Sequence, residues 1–365
     1  MRRAFITVVI IMCVLGAVAA LVGFRVWNRM HDPYKGYAGA EQFVDIPPGV
    51  SSNAIGRLLL EAGVIENDLA FRAALRWTGR GQSLKAGEYR FDRPMSAVDV
   101  IGMIARGDAY ARRITFPEGL TILEMARLYE SRGFGSARDF TQAAADASLV
   151  KDIDPVATDL EGYLFPDTYA LPRRTPASRL IAQMLERFRA TYTDDLRSRA
   201  EVHGLTTREL VTLASVIEKE TGAGQERPLV AAVYTNRLAI GMGLQADPTV
   251  VYALQKAGKY DGNIRREDLA IDSPYNTYKY RGLPPGPIAS PGKASLEAAV
   301  SPADVPYLYF VSRNDGTHAF ATTLSEHNAN VRKFQVQFFR EARQSGAEGG
   351  RGRGEGDRAV SGNRP

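Results

Sequence analysis

The sequence predicts an α+β protein carried on a single N-terminal transmembrane helix, with a small α/β module followed by a larger mixed helical and β domain. Three observations predict it. Ala4 to Phe24 is a run of 21 residues without a charge, long enough to cross a hydrocarbon core of about 30 Å as a helix. Two stretches then repeat a strand, turn and helix pattern at a shift of 70 residues. From Pro176 onward the apolar spacing turns helical, and it is interrupted by a loop rich in proline and by one hairpin signal.

The apolar run follows Met1-Arg2-Arg3 and ends at Arg25, Trp27 and Arg29, an interface-like flank. Ala17-Val18-Ala19 fits a signal-peptidase pattern, but the run exceeds the usual signal core, so an uncleaved anchor over 4–24 is expected. A cytoplasmic stub of residues 1–3 with the remainder exported is the simplest topology, and 25–40 reads as a linker. The repeat pairs VDIPPGVSSNAIGRLLLEAGVI from Val44 with ITFPEGLTILEMARLYESRGFG from Ile114, matching Gly49 to Gly119, Leu58 to Leu128 and Gly63 to Gly133. Each copy closes on an aromatic strand-like segment, GEYRF at Gly87 and GYLFPDTYAL at Gly162. Strand, helix, helix, strand is the layout of small glycan-binding modules and equally of plain packing modules.

In the second half, Ile181, Met184, Leu185 and Phe188 share a helix face. Thr206 and Glu209 form a capping box that opens LVTLASVIEKETG. Pro228 begins another helix that ends at Gly241, and Asp247-Pro248 reads as the N-cap and first position of a third. Tyr275 to Gly292 is a shaped loop, since its prolines exclude ladder pairing. Asn314-Asp315-Gly316 marks a hairpin, and Val331, Phe334 and Phe338 give a last packed helix. Residues 341–365, rich in Gly, Arg and Glu, have little to bury and read as a disordered tail.

Composition excludes several classes. The 46 Lys and Arg against 41 Asp and Glu are interspersed, without the dense basic block that tracks phosphates, so nucleic acid is not expected as a partner. The one cysteine, Cys13, lies in the apolar run, and the four histidines lack metal-ligand spacing. No metal or other cofactor is expected.

The chemistry concentrates on the EKET segment. At about 100° per residue, Leu210, Val211, Leu213, Ala214, Val216 and Ile217 form an apolar arc, and Glu218 and Glu220 fall on its two flanks about 160° apart. Lys219 points away. A carboxyl beside apolar side chains holds its proton to higher pH, as a general acid requires. Two glutamates so far apart around the axis cannot form a close dyad, so a second acid, if one is used, must come from elsewhere, with Asp247 and Glu161 as candidates. The competing reading is a buried ion pair with Arg227 or Arg237, and the helix alone leaves both open. Tyr163, Tyr252, Tyr275, Tyr278 and Tyr280 offer flat faces with polar tips that suit sugar rings.

Taken together, EGYLFPDTY at 161, LASVIEKETG at 213, RPLVAAVYTNRLAIGMGLQADPTVVYAL at 227, SPYNTYKYRGLPPGPIASPG at 273 and PYLYFVSRNDGTHAFATTLSEHN at 306 resemble the endolytic murein transglycosylases of the YceG-like family. The resemblance implies a LysM-like module over 41–110, a YceG-like catalytic domain over 111–340, and an inner-membrane anchor with the catalytic part in the periplasm. It also implies cleavage of the β-1,4 bond between N-acetylmuramic acid and N-acetylglucosamine in nascent peptidoglycan strands, leaving 1,6-anhydromuramic ends, in the company of peptidoglycan synthases. The first glutamate of the family's motif, its catalytic acid, lands on Glu218. Glu220, Asn236, Gln245, Asp247, Thr249, Tyr252, Tyr275, Asn276, Thr277 and Tyr278 fall at motif positions around the family's cleft. The alternatives are a hydrolase of the same bond and an anchored peptidoglycan-binding scaffold without activity.

Overall fold

The computed structural model describes residues 2–340 except Arg174, Thr221 and Phe339; the expected tail lies outside the described residues. Helix α1 (Arg2–His31) is continuous, and among the described residues it contains the one helix segment long and apolar enough to span a membrane, Phe5–His31. The helix therefore runs past Phe24 into the expected linker. Val26 and Met30 pack on a hydrophobic core, which favours continuing the helix, and Tyr34 then exchanges backbone hydrogen bonds with Met95. Residues 25–40 are thus an ordered part of the first unit rather than a free connector.

The chain divides into two compact units, one of residues 1–113 with 170–174 and one of 114–169 with 175–365. In the first, β1 (Gln42–Ile46) precedes α2 (Ser52–Glu61) and α3 (Asp68–Thr78), and β2 (Gly87–Phe91) returns antiparallel to β1 with Gln42 opposite Phe91. Helix α4 (Ala97–Arg106) completes it. Ser51, Asn67 and Ser96 cap the three helices by accepting backbone N–H groups, which supplies partners to donors that the first turn cannot satisfy. Ile46, Leu59, Phe71, Tyr89, Phe91, Ile101 and Ile104 form the core.

The second unit begins with the same pattern. β3 (Arg112–Thr115) leads to α5 (Ile122–Ser131) and α6 (Ala137–Ala144), and β4 (Thr168–Leu171) is the partner strand of β3. The internal repeat is visible in the backbone. Helices α2 and α5 occupy equivalent positions 70 residues apart, and the turn glycines Gly49 and Gly119 have φ of 77° and 78°. Positive φ is open to glycine at little steric cost.

Helix α7 (Ala177–Thr191) buries Ile181, Met184, Leu185 and Phe188, as its spacing predicts. Next come α8 (Asp194–Val202), α9 (Thr207–Glu220), α10 (Arg227–Ala239) and α11 (Asp247–Lys256). Helix α9 is the central one: Leu210 to Ile217 are all buried, including Thr212 and Ser215 outside the apolar arc, because α8, α10, α11 and α12 (Lys293–Val300) surround it. The N-cap of α11 is Ala246, one residue earlier than expected, because the Asp247 carboxylate accepts the Tyr278 hydroxyl instead of capping the helix. The 273–292 loop contains no helix or strand. β5 (Tyr309–Ser312) and β6 (His318–Ala321) form the expected hairpin, and α13 (Leu324–Val331) follows. The last helix packs less than its apolar residues suggest: it widens to a π-helix over Arg332–Gln337, and Phe338 is exposed.

Candidate active site

The reciprocal Thr206 and Glu209 bonds start α9, and the helix carries its buried face to Glu218 near the far end. The Glu218 side chain is 6% exposed. Its Oε2 accepts the Gly292 N–H at 2.9 Å and the Ser295 hydroxyl at 2.7 Å, and its Oε1 lies 3.2 Å from Arg227 Nη2. The expectation of a carboxyl set among apolar groups is therefore only half met, since the stem is buried and the head is ringed by donors. Arg227, the first residue of α10, is the partner that the ion-pair reading named.

The same Arg227 Nη2 lies 3.5 Å from Glu118 Oε2, so two carboxyls share one guanidinium nitrogen. Arg227 Nε has no hydrogen-bond partner among the described residues. Glu118 sits in the Pro117-Glu118-Gly119 turn after β3, and this turn is tied to the 287–292 loop by Gly119 N–H to Ser290 O (2.8 Å) and Ser290 N–H to Leu120 O (2.9 Å). Lys219 reaches back from α9 to donate to Gly119 O at 3.1 Å. Glycine at 292 leaves room for Glu118 in this position, since a Cβ there would stand 1.8 Å from Glu118 Oε1. Burial, and behind it the negative charge of Glu218, push the Glu118 carboxyl above its ordinary range, while Arg227 pulls it down.

The other flank of α9 is a separate environment. Glu220 Oε1 accepts the Tyr234 hydroxyl at 2.5 Å, and burial pushes its carboxyl up to about 7. It lines a cavity of about 240 Å³ with Tyr234, Arg237, Gln245, Asp247 and Tyr278 among its walls. The Tyr278 hydroxyl donates to Asp247 Oδ1 at 2.6 Å. Arg237 donates to the backbone carbonyls of Leu308 and Leu244, and among the described residues it forms no ion pair with Glu220. Gln245 holds a left-handed φ of 51°, a conformation that non-glycine residues adopt at an energetic cost and that concentrates at functional sites.

The remaining candidates divide into scaffold and a second pocket. Asn236 donates to Val305 O and Tyr307 O, and Asn276 to Leu269 O and Ile271 O. Thr277 Oγ1 accepts the Ala246 N–H and meets Thr249 Oγ1 at 2.9 Å. These four side chains are buried or half-buried, and their hydrogen bonds close on other protein groups. Tyr252 packs against Tyr275 with ring centroids 4.9 Å apart and donates to Glu161 Oε2. Glu161 also accepts the Ile122 N–H, and burial pushes it up to about 8. Tyr252, Glu161 and Ile122, with Leu123, Ala144, Asp159 and Lys256, line a cavity of about 250 Å³. Neither carboxyl considered as a second acid bonds at the Glu218 site: Asp247 belongs to the Glu220 cavity and Glu161 to this pocket. The carboxyl beside Glu218 is Glu118. One signal could have found it, because Glu118 stands where the first repeat has Pro48, a charge introduced into an otherwise matching turn.

The model of the YceG-like family matches residues 44–333. The chain belongs to this family. Its relatives include the endolytic murein transglycosylase of Bacillus subtilis strain 168, 34% identical over 308 residues that cover 80% of this chain and 84% of that protein. The endolytic murein transglycosylase of Streptococcus pneumoniae D39 is 32% identical over 79% of this chain, which spans 57% of that longer relative. Among solved structures, the 2.6 Å crystal structure of a YceG-like protein from Listeria monocytogenes aligns with a TM-score of 0.55 and 31% identity, over 80% of this chain and 98% of that one. Glu118, Glu218, Arg227 and the 287–292 loop all lie within the matched residues 44–333.

Proposed function

We infer that this protein is an endolytic peptidoglycan transglycosylase, a lyase that cleaves the β-1,4 bond between N-acetylmuramic acid and N-acetylglucosamine within glycan strands and leaves 1,6-anhydromuramic ends. Membership of a family whose named relatives are endolytic murein transglycosylases, matched along four fifths of the chain, carries the reading. Glu218 is the acid. It protonates the leaving glycosidic oxygen, and as carboxylate it then takes the proton of the muramic C6 hydroxyl as that oxygen attacks C1. One residue serves in turn as acid and base. The substrate's own hydroxyl is the nucleophile, held by the ring in reach of C1, so no activated water is needed.

Glu220, Gln245, Asp247 and Tyr278 supply polar groups to a cavity beside the same helix end, and Tyr252 and Tyr275 present aromatic surface. The first unit is a LysM-like glycan-binding module, and α1 anchors the chain in the inner membrane with both units in the periplasm, within reach of newly made strands and of the synthases that make them. Hydrolysis of the same bond has one observation in its favour, the second carboxyl of Glu118, because ordinary glycosidases pair two carboxylates. Mass spectrometry of the muropeptides separates the two, since anhydro ends are one water lighter than reducing ends. Glu218→Gln is expected to abolish product while leaving the melting transition in place. Cleavage at the wild-type rate by the folded variant would exclude Glu218 as the acid.

A further inference from the structure

Among the side chains that the reaction above does not use, Glu118 has the most specific placement. It rests on the assignment of Glu218 as the acid and extends it. The groups that face Glu218 come from every neighbouring element. Arg227 comes from α10, the Gly292 N–H and the Ser295 hydroxyl from the loop and the start of α12, and Glu118 from the turn after β3. On α9 itself Lys219 is turned to Gly119 O, Glu220 is engaged by Tyr234 on the other flank, and Lys293, next to Gly292, is exposed. A single guanidinium thus serves two carboxyls. An arginine paired with a single carboxyl favours the charged form of that carboxyl, which opposes work as a general acid. A carboxylate has no proton to give.

We propose that Glu118 is a positioning residue: by sharing Arg227 it keeps the guanidinium from pairing with Glu218 alone, so that Glu218 can give up and recover a proton within one turnover. The count closes over the cycle. The proton leaves Glu218 for the departing oxygen as the C1–O bond breaks, the C6 oxygen bonds to C1, and the C6 hydroxyl proton returns to Glu218. Glu218 ends with the one proton it began with, and Glu118 itself touches no substrate. The architecture supports a dedicated arrangement. Two backbone hydrogen bonds fix the Glu118 turn to the loop whose Gly292 N–H binds Glu218, and only a glycine at 292 leaves room for the Glu118 carboxyl.

The test is a pH–rate profile of the full-length protein in detergent, with uncrosslinked glycan strands as substrate and anhydro ends counted by mass spectrometry. In Glu118→Gln the alkaline limb, where the acid loses its proton, is expected to move down by about one pH unit or more, a loss of about tenfold at any pH above the limb. The rate on the acid side stays within about twofold of wild type. Glu118→Asp, which keeps the charge, is expected to restore the limb in part, and it serves as the probe if the glutamine variant does not fold. An alkaline limb that stays in place in both variants overturns the proposal, whether or not the rate falls overall. The Glu218→Gln control separates the two levels: if that variant cleaves, the acid is misassigned, whereas an inactive Glu218→Gln with an unmoved limb in the Glu118 variants removes only the role of Glu118.

Discussion

Gly292→Ala displaces Glu118 without altering its chemistry. The backbone at 292 has φ −79° and ψ 172°, which alanine adopts freely, and the 292 N–H that binds Glu218 remains. The new Cβ would meet Glu118 Oε1 at 1.8 Å, Cδ at 2.1 Å and Cγ at 2.8 Å. Every one of these atoms belongs to a side chain that is 46% exposed, so the carboxyl can swing into solvent. What is lost is one half-exposed ion pair, worth about 0–1 kcal/mol. What is gained is the reduced freedom of the unfolded chain, about 0.4–1 kcal/mol for Gly→Ala at a compatible site. The two offset, so the melting temperature is expected to stay within about 3 °C of wild type. With Glu118 gone from Arg227, the pH–rate profile is expected to resemble that of Glu118→Gln. Thermal melting alongside muropeptide mass spectrometry across pH 5 to 9 checks both. A wild-type alkaline limb in a stable variant would refute the reasoning, and so would a loss of more than about 10 °C, because the clash would then not be relieved by side-chain motion.

Two further outcomes follow from the other carboxyls and from the strained backbone. Burial pushes Glu161 from 4.5 to about 8, so across that window the folded protein retains a proton that the unfolded chain has released. Stability is full below about 4.5 and falls as pH rises through the window, by up to about 1.4 kcal/mol per pH unit. Glu161→Gln is expected to flatten that decline in denaturant unfolding at pH 5 and 8, and equal pH slopes in variant and wild type would contradict it. Gln245→Gly relieves a left-handed φ of 51° and is expected to raise stability by about 0.5 kcal/mol while lowering the rate of anhydro-end formation. A variant that is both more stable and as active would show that the Gln245 amide contributes nothing to the cavity.

How much could be read from the sequence depended on the range of each interaction. Spacing of apolar residues found α7 and α9, and the Thr206 and Glu209 pair found the start of α9, because these depend on neighbours three or four positions away. The equivalence of Gly49 and Gly119 is legible in the repeat itself, because both copies carry the turn glycine at the same offset. Burial of the whole circumference of α9 was not legible, since Thr212 and Ser215 are polar and are enclosed only because four other helices surround them. The α11 cap was misplaced by one residue for a similar reason: Asp247 is an excellent local cap, and a tyrosine 31 positions away engages it instead. Asn236, Thr249, Asn276 and Thr277 occupy motif positions around a cleft, but their hydrogen bonds close on backbone carbonyls and on one another. A motif does not distinguish a wall from a ligand contact.

The same contrast explains why the helix wheel was right about α9 and incomplete about its chemistry. Rotation of about 100° per residue sends Glu218 and Glu220 to opposite flanks, and the structure gives each flank its own arginine, its own hydroxyl donor and its own second carboxyl. Glu218 has Arg227, Ser295 and Glu118; Glu220 has Arg237 nearby, Tyr234 and Asp247. Arg227 binds carboxyls, whereas Arg237 is committed to carbonyls. The first flank thus carries an ion pair, whereas the second has none among the described residues and burial lifts Glu220 to about 7. A carboxyl that must release and recover a proton in one turnover needs a partner that accommodates both states, and a shared arginine with a neighbouring acid does so. A carboxyl lifted to about 7 by burial, with the charge of Asp247 adding to the lift, suits binding, because its charge responds to whatever enters the cavity. That difference, set by two helix positions and by residues brought from 100 positions away, supports the proposed division in which Glu218 is the acid and Glu220 lines the neighbouring cavity.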